Sequence, residues 1–128
     1  MLFENIHHIA IIGRNYNKTK EFYIEKLGFE IISEHHRVDK NDIIINVEKE
    51  NVVLEIFIKE DAPLRPPIPN PENTGLRHLA FKVKDVEKTL EEFDSLKIVH
   101  QGLRYDDFDG KKMAFFFDPD GLPLEIHE

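Results

Sequence analysis

The chain has 128 residues, of which 41% are apolar and 33% charged, with a formal net charge of −8 and no cysteine. That balance suits one globular domain and excludes a disordered chain, while so acidic a surface disfavours nucleic acid as a partner. The lack of cysteine excludes a disulfide framework, a thiolate metal site and a cysteine nucleophile, and fits a reducing cytoplasm.

The N-terminus carries Glu4, His7 and His8 before any long apolar run, so no signal peptide is expected, and no segment approaches the roughly 20 apolar residues of a membrane span. Cytoplasmic localisation follows as the expectation. The first strand is predicted near Asn5 to Ile12. A helix follows, marked by Phe22, Tyr23, Lys26 and Leu27, with Gly28 as its stop. Three strands then run near Glu30 to Arg37, Asp42 to Glu48 and Val52 to Ile58. The stretch DAPLRPPIPNPENTG, Asp61 to Gly75, holds five prolines, which favour extended backbone and prevent helix there. A second strand–helix–three-strand series follows. Its first strand lies near Leu76 to Val83. Its helix is capped by Asp85 and shows Val86, Leu90 and Phe93 at helical spacing. Its last strands lie near Val99 to Tyr105, Lys111 to Phe117 and Leu124 to His127.

The two series are a repeat. His8-Ile9-Ala10-Ile11 returns 70 positions later as His78-Leu79-Ala80-Phe81, and Leu54-Glu55-Ile56 returns as Leu124-Glu125-Ile126. The turn residues repeat too. Asp118-Pro119-Asp120-Gly121 has type I turn chemistry, and Asn51 stands where Gly121 stands, both being tolerant of positive φ. The architecture is therefore α+β: two tandem βαβββ modules, about 5–60 and 76–127, joined by the linker 61–75 and forming a curved mixed sheet within one domain, 1–128.

Side chains alternate across a strand, so parity decides which residues share a face. Ile9, Ile11, Leu54, Ile56, Leu79, Phe81, Leu124 and Ile126 fall on faces that pack under the helices. His8, Glu55, His78 and Glu125 fall on the opposite faces. A pseudo-twofold relation between the modules would gather one histidine and one glutamate from each. Two imidazoles and two carboxylates suit a borderline divalent cation: nickel, cobalt, manganese, iron or zinc. Four protein ligands on an octahedral ion leave two positions for water or substrate. The competing reading is that each glutamate is a solvent-facing residue of an amphipathic strand, and that each histidine is hydrogen-bonded core or surface.

The motifs HHIAI, FYIEKLGFE, LRHLAFKV and FDPDGLPLEIHE, with the tandem modules, resemble the vicinal oxygen chelate superfamily, also called glyoxalase/bleomycin-resistance proteins, over residues 5 to 127. The chain is most similar to glyoxalase I-like proteins of the lactoylglutathione lyase type. The resemblance implies metal ligands at His8, Glu55, His78 and Glu125, with Glu125 as the base. It implies one divalent ion per site, nickel or cobalt favoured, with zinc, manganese or iron suited to the same donors. It implies proton abstraction next to a metal-bound carbonyl, with the developing enediolate stabilised, as in conversion of a methylglyoxal hemithioacetal to a thioester. The partner expected is a small-molecule substrate, with neither nucleic acid nor membrane, in a homodimer. The superfamily builds such sites both within one chain and across two.

Two departures bear on the substrate. Glutathione-using relatives carry a basic residue where this chain has Ile12, and often another where it has Thr74. Arg65, Arg77, Arg104, Lys111 and Lys112 are alternative anion contacts, or solvated surface charges. The alternatives on the same scaffold are a methylmalonyl-CoA epimerase-like enzyme and a non-catalytic small-molecule-binding protein. Ring-cleaving dioxygenases and fosfomycin-modifying enzymes use three ligands, corresponding to His8, His78 and Glu125, and would leave Glu55 surplus. His7, His35, His36, His100 and His127 have no partner in the repeat and are expected at the surface or behind the ligands, with His127 foremost because it shares the face of Glu125. Of Phe115, Phe116 and Phe117, whichever lines the site would help to exclude water.

Overall fold

The computed structural model describes residues 1–67 and 70–128 and divides into two compact units, Met1–Pro63 and Leu64–Glu128. Each unit carries its own four-stranded mixed sheet beside a helix, in the βαβββ order expected.

In the first unit β1 (Ile9–Gly13) leads into α1 (Tyr16–Lys20), then β2 (Glu30–Arg37), β3 (Asp42–Lys49) and β4 (Val52–Ile58), with spatial order β1-β4-β3-β2. The Asn15 side chain caps α1 by accepting from the Lys18 N–H at 2.9 Å. The helix continues from Glu21 to Lys26 as a π-helix, with the Leu27 N–H donating to the Phe22 carbonyl. That wider turn lets two consecutive aromatics, Phe22 and Tyr23, both enter the core. Gly28 ends the helix at φ 77°, its N–H donating to the Ile24 carbonyl. In β4 Leu54, Ile56 and Ile58 are buried and Val53, Glu55 and Phe57 half-buried, so the alternation is as expected. The β3–β4 turn departs from expectation. Positive φ falls on Glu50, at 51°, and not on Asn51. Lys49 pairs with Val52, so Glu50 and Asn51 form a two-residue hairpin loop strained at its first position only, as in a type II′ turn.

In the second unit β5 (Leu79–Lys82), α2 (Val86–Ser95), β6 (Arg104–Tyr105), β7 (Lys112–Phe117) and β8 (Pro123–His127) assemble in the order β5-β8-β7-β6. Asp85 caps α2, accepting from the Lys88 N–H at 3.0 Å, and Val86, Leu90 and Phe93 are its buried residues. The turn before β8 closes as expected, with the Gly121 N–H donating to the Asp118 carbonyl. The strand expected over Val99 to Tyr105 is shortened to β6. Val99 and Gln101 still bond to β7, but the backbone turns at Gly102, φ 82°, whose N–H is taken by His100 Nδ1 at 3.0 Å. The ladder breaks there and resumes at Arg104.

Of the linker, Ile68 and Pro69 lie outside the described residues, and the rest of 61–75 forms neither helix nor strand. Among the described residues no helix is long and apolar enough to cross a membrane.

Candidate metal centre

Both first strands are shorter than expected, so His8 and His78 each stand one residue before the regular ladder. The register nevertheless aligns them as parity requires. Ala10 pairs with Glu55 in the first sheet, and Ala80 with Glu125 in the second. His8 and His78 precede these alanines by two residues and share their faces.

In the first unit His8 Nε2 lies 3.8 Å from Glu55 Oε1. The other nitrogen of the ring, Nδ1, is 2.8 Å from His7 Nδ1, with the two rings edge to face. His7 therefore fixes the His8 ring through the nitrogen that does not face Glu55. In the second unit His78 Nε2 lies 2.7 Å from Glu125 Oε2. Glu125 is only 6% exposed, and Phe115 stands edge-on to the His78 ring at 5.2 Å between centroids. Phe115 is thus the phenylalanine that shields this pair, whereas Phe116 packs into the core against Phe93. Each histidine–glutamate contact lies within one unit.

Two ligands on adjacent corners of an ion with bonds of about 2.1 Å sit roughly 3.0 Å apart, or about 3.4 Å if the ion is tetrahedral. Separations of 3.8 and 2.7 Å bracket that range. In each pair a single shared proton could be exchanged for a cation with little movement. A carboxylate as buried as Glu125 is costly unless it meets a cation or a strong donor, which a metal ion supplies. The donor set therefore fits a borderline divalent ion.

A second grouping overlaps this one and was not evident from the sequence. Asp106, Glu125 and His127 bring one ligand atom each to within 4.8 Å of one another, a cluster that could hold a metal ion. His127 Nδ1 donates to the Glu128 carbonyl, and its Nε2 faces Asp106 at 3.7 Å and Asp109 at 3.4 Å. The Asp106 carboxyl is held below its ordinary pKa, chiefly because the Asp109 and Phe108 N–H groups donate to it, and His127 adds to this. Parity placed His127 on the face of Glu125, but the approach of Asp106 depends on the path of the 106–110 turn, for which strand alternation carries no signal.

The other sequence candidates are engaged elsewhere. Arg77 pairs with Glu72 at 2.7 Å, and Lys112 with Glu87 at 3.3 Å. Arg104 lies over the Phe115 ring. Arg65 and Lys111 are exposed. His36 faces Glu34, and His100 faces Asp94 at 2.7 Å.

Residues 5–126 match the model of the glyoxalase/bleomycin resistance protein/dioxygenase superfamily. The chain is 43% identical to the uncharacterized protein YwkD of Bacillus subtilis over 129 aligned positions, covering 100% of this chain and 99% of that one. It is 40% identical to the uncharacterized protein YaeR of Escherichia coli, covering 98% and 96%. The crystal structure of a glyoxalase family protein from Enterococcus faecalis superposes with a TM-score of 0.92 at 54% identity, with full coverage of both chains.

Proposed function

The chain belongs to the glyoxalase/bleomycin resistance protein/dioxygenase superfamily, and from that premise we propose that it is a metal-dependent lyase/isomerase of the glyoxalase I type, with His8, Glu55, His78 and Glu125 as the ligands of one divalent ion. The observation that carries this reading is the recurrence of a histidine–glutamate contact in both units at equivalent register, Ala10 with Glu55 and Ala80 with Glu125. Preserving a fold after duplication requires the apolar faces to be kept. It does not require two polar pairs on the opposite faces.

An ion held by these four residues would polarise a substrate carbonyl and acidify the neighbouring C–H. Glu125 is the base. Its burial and the adjacent Phe115 ring keep bulk water from the transferred proton. Its carboxylate takes the proton from the carbon that carries the hydroxyl and thioether of a hemithioacetal, and returns it to the adjacent carbonyl carbon. The hydroxyl proton passes to the other oxygen, so the product is an isomeric hydroxy thioester and no co-reactant is consumed. His7 holds the His8 ring in place through Nδ1.

A second reading, an epimerase acting on an acyl-CoA thioester, uses the same proton transfer. It is favoured by Ile12, which is 54% exposed on the Glu55 face where glutathione-using relatives carry a basic residue.

Proton exchange tests both. Nickel-loaded protein should wash deuterium from solvent into the reacting carbon of a methylglyoxal–glutathione hemithioacetal or of a branched acyl-CoA thioester, and the substrate exchanged decides between the readings. Glu125→Gln should slow that exchange at least about 100-fold, the usual contribution of a positioned base. Absence of exchange with either substrate class would leave a binding protein and overturn the enzyme.

A further inference from the structure

Further along the face that carries Glu55, the first sheet has a feature that metal binding does not use. β3 and β4 pair Asn46 with Glu55 and Ile44 with Phe57, and the hairpin from β2 pairs Arg37 with Asp42. Continuing the same register sets Lys59 beside Asp42. The Asp42 side chain is wholly buried. It accepts from Arg37 Nε at 2.7 Å, Arg37 Nη2 at 2.6 Å and Lys59 Nζ at 2.8 Å. Both cations also lie over the Phe57 ring, at 5.5 Å for Arg37 Cζ and 5.9 Å for Lys59 Nζ. Arg14 follows Gly13 at the same end of the sheet and donates to the Glu60 carbonyl.

One carboxylate is thus matched to two cations, in a chain whose net charge is −8. The bonds to Asp42 use Nε and Nη2 of Arg37 and one hydrogen of Lys59. Nη1 and two ammonium hydrogens are left to face outward beside an aromatic ring, and both side chains are about one-third exposed. The other acids acting on Arg37 are Asp39, in the exposed turn after β2, and Glu55 itself. The fold does not demand this arrangement. The repeat places Asp107 and Lys112 at the positions of Arg37 and Asp42, and Lys112 there turns to Glu87.

We propose that Arg37 and Lys59, braced by buried Asp42 and backed by Phe57, form an anion subsite that receives a carboxylate or phosphate at the far end of the substrate. The inference rests on the metal reading above for the substrate's other end. Four residues of strand separate Glu55 from Lys59, a rise of about 13 Å, and both cations lean back over Phe57 between them. The substrate class is therefore a compound with two adjacent oxygens and an anionic group about 10 Å away. The bidentate pair to Asp42 fixes the guanidinium plane before substrate arrives, so little entropy is lost on binding.

Two measurements keep this apart from the metal reading. In chelator-treated protein, millimolar inorganic phosphate should shift the NMR amide signals of Arg37 and Phe57 to Lys59. Lys59→Met, which keeps the Arg37–Asp42 pair, should abolish the shift, and Lys59→Arg should restore it. In nickel-loaded protein, an alkyl hydroxamate ending in a carboxylate about eight methylenes away should bind about tenfold more tightly than its methyl-ended analogue. That gap should shrink in high salt and in Lys59→Met. No response to phosphate, or equal affinity for the two hydroxamates, overturns the subsite. A phosphate response with neither hydroxamate bound upholds the subsite and overturns the metal reading.

Discussion

At the residue scale, the side chains that matter most are those whose roles depend on a neighbour. His7 has no counterpart in the repeat, yet its ring nitrogen holds His8. Residues that orient a ligating histidine typically contribute 10–100-fold to metal affinity, so His7→Ala should weaken nickel binding by about tenfold while leaving the fold intact, as read by calorimetry beside circular dichroism. Asp42 supplies a test in acid. Arg37 first, then Lys59, hold its carboxyl far below the ordinary carboxylate range. A depressed carboxyl stabilises the fold above its unfolded pKa of about 3.9, and that stability is lost as pH falls through this value and below it. Asp42→Asn should therefore be less stable than the parent at pH 7 in urea unfolding, and the difference should narrow steadily below about pH 4. A constant difference across the range would mean that Asp42 acts through packing and not through its charge.

At the element scale, what sequence could reveal was whatever depends on alternation, spacing and capping chemistry. The four histidine and glutamate positions were legible because faces alternate with a period of two, and β4 and β8 keep that alternation. Asp85 was legible as a cap, and the same logic holds at Asn15, 70 positions earlier. Replacing Asp85 by Ala should cost about 1 kcal/mol in urea unfolding, with the Lys88 N–H left without its acceptor. Features that depend on how backbone strain is shared were not legible. Tyr23 entered the core only because a π-turn rotated it there, beside a Phe22 that a regular helix would also have buried. β6 lost its first residues because the Gly102 N–H turned to an imidazole. Positive φ settled on Glu50, although Asn51 tolerates it better, since the two-residue hairpin requires it at the first position. The Asp106–Glu125–His127 grouping and the Asp42 cluster were hidden for a related reason. Each depends on a turn that sets which residues meet across the sheet.

At the scale of the whole molecule, a duplicated α+β scaffold carries one histidine–glutamate pair in each of its two units. The account treats these pairs as halves of one ion site that serves proton transfer at a carbon next to a carbonyl. The Asp106–Glu125–His127 cluster offers the same ion a different home, confined to the second unit and sharing Glu125. Nickel titration of chelator-stripped protein by calorimetry separates the two, using Glu55→Gln from the first unit, His78→Ala from the second and His127→Ala from the competing cluster. The account predicts one class of site, weakened at least about tenfold by Glu55→Gln and by His78→Ala alike, and little changed by His127→Ala. Parent-like binding in Glu55→Gln together with its loss in His127→Ala would place the ion on the second unit alone and contradict the shared site.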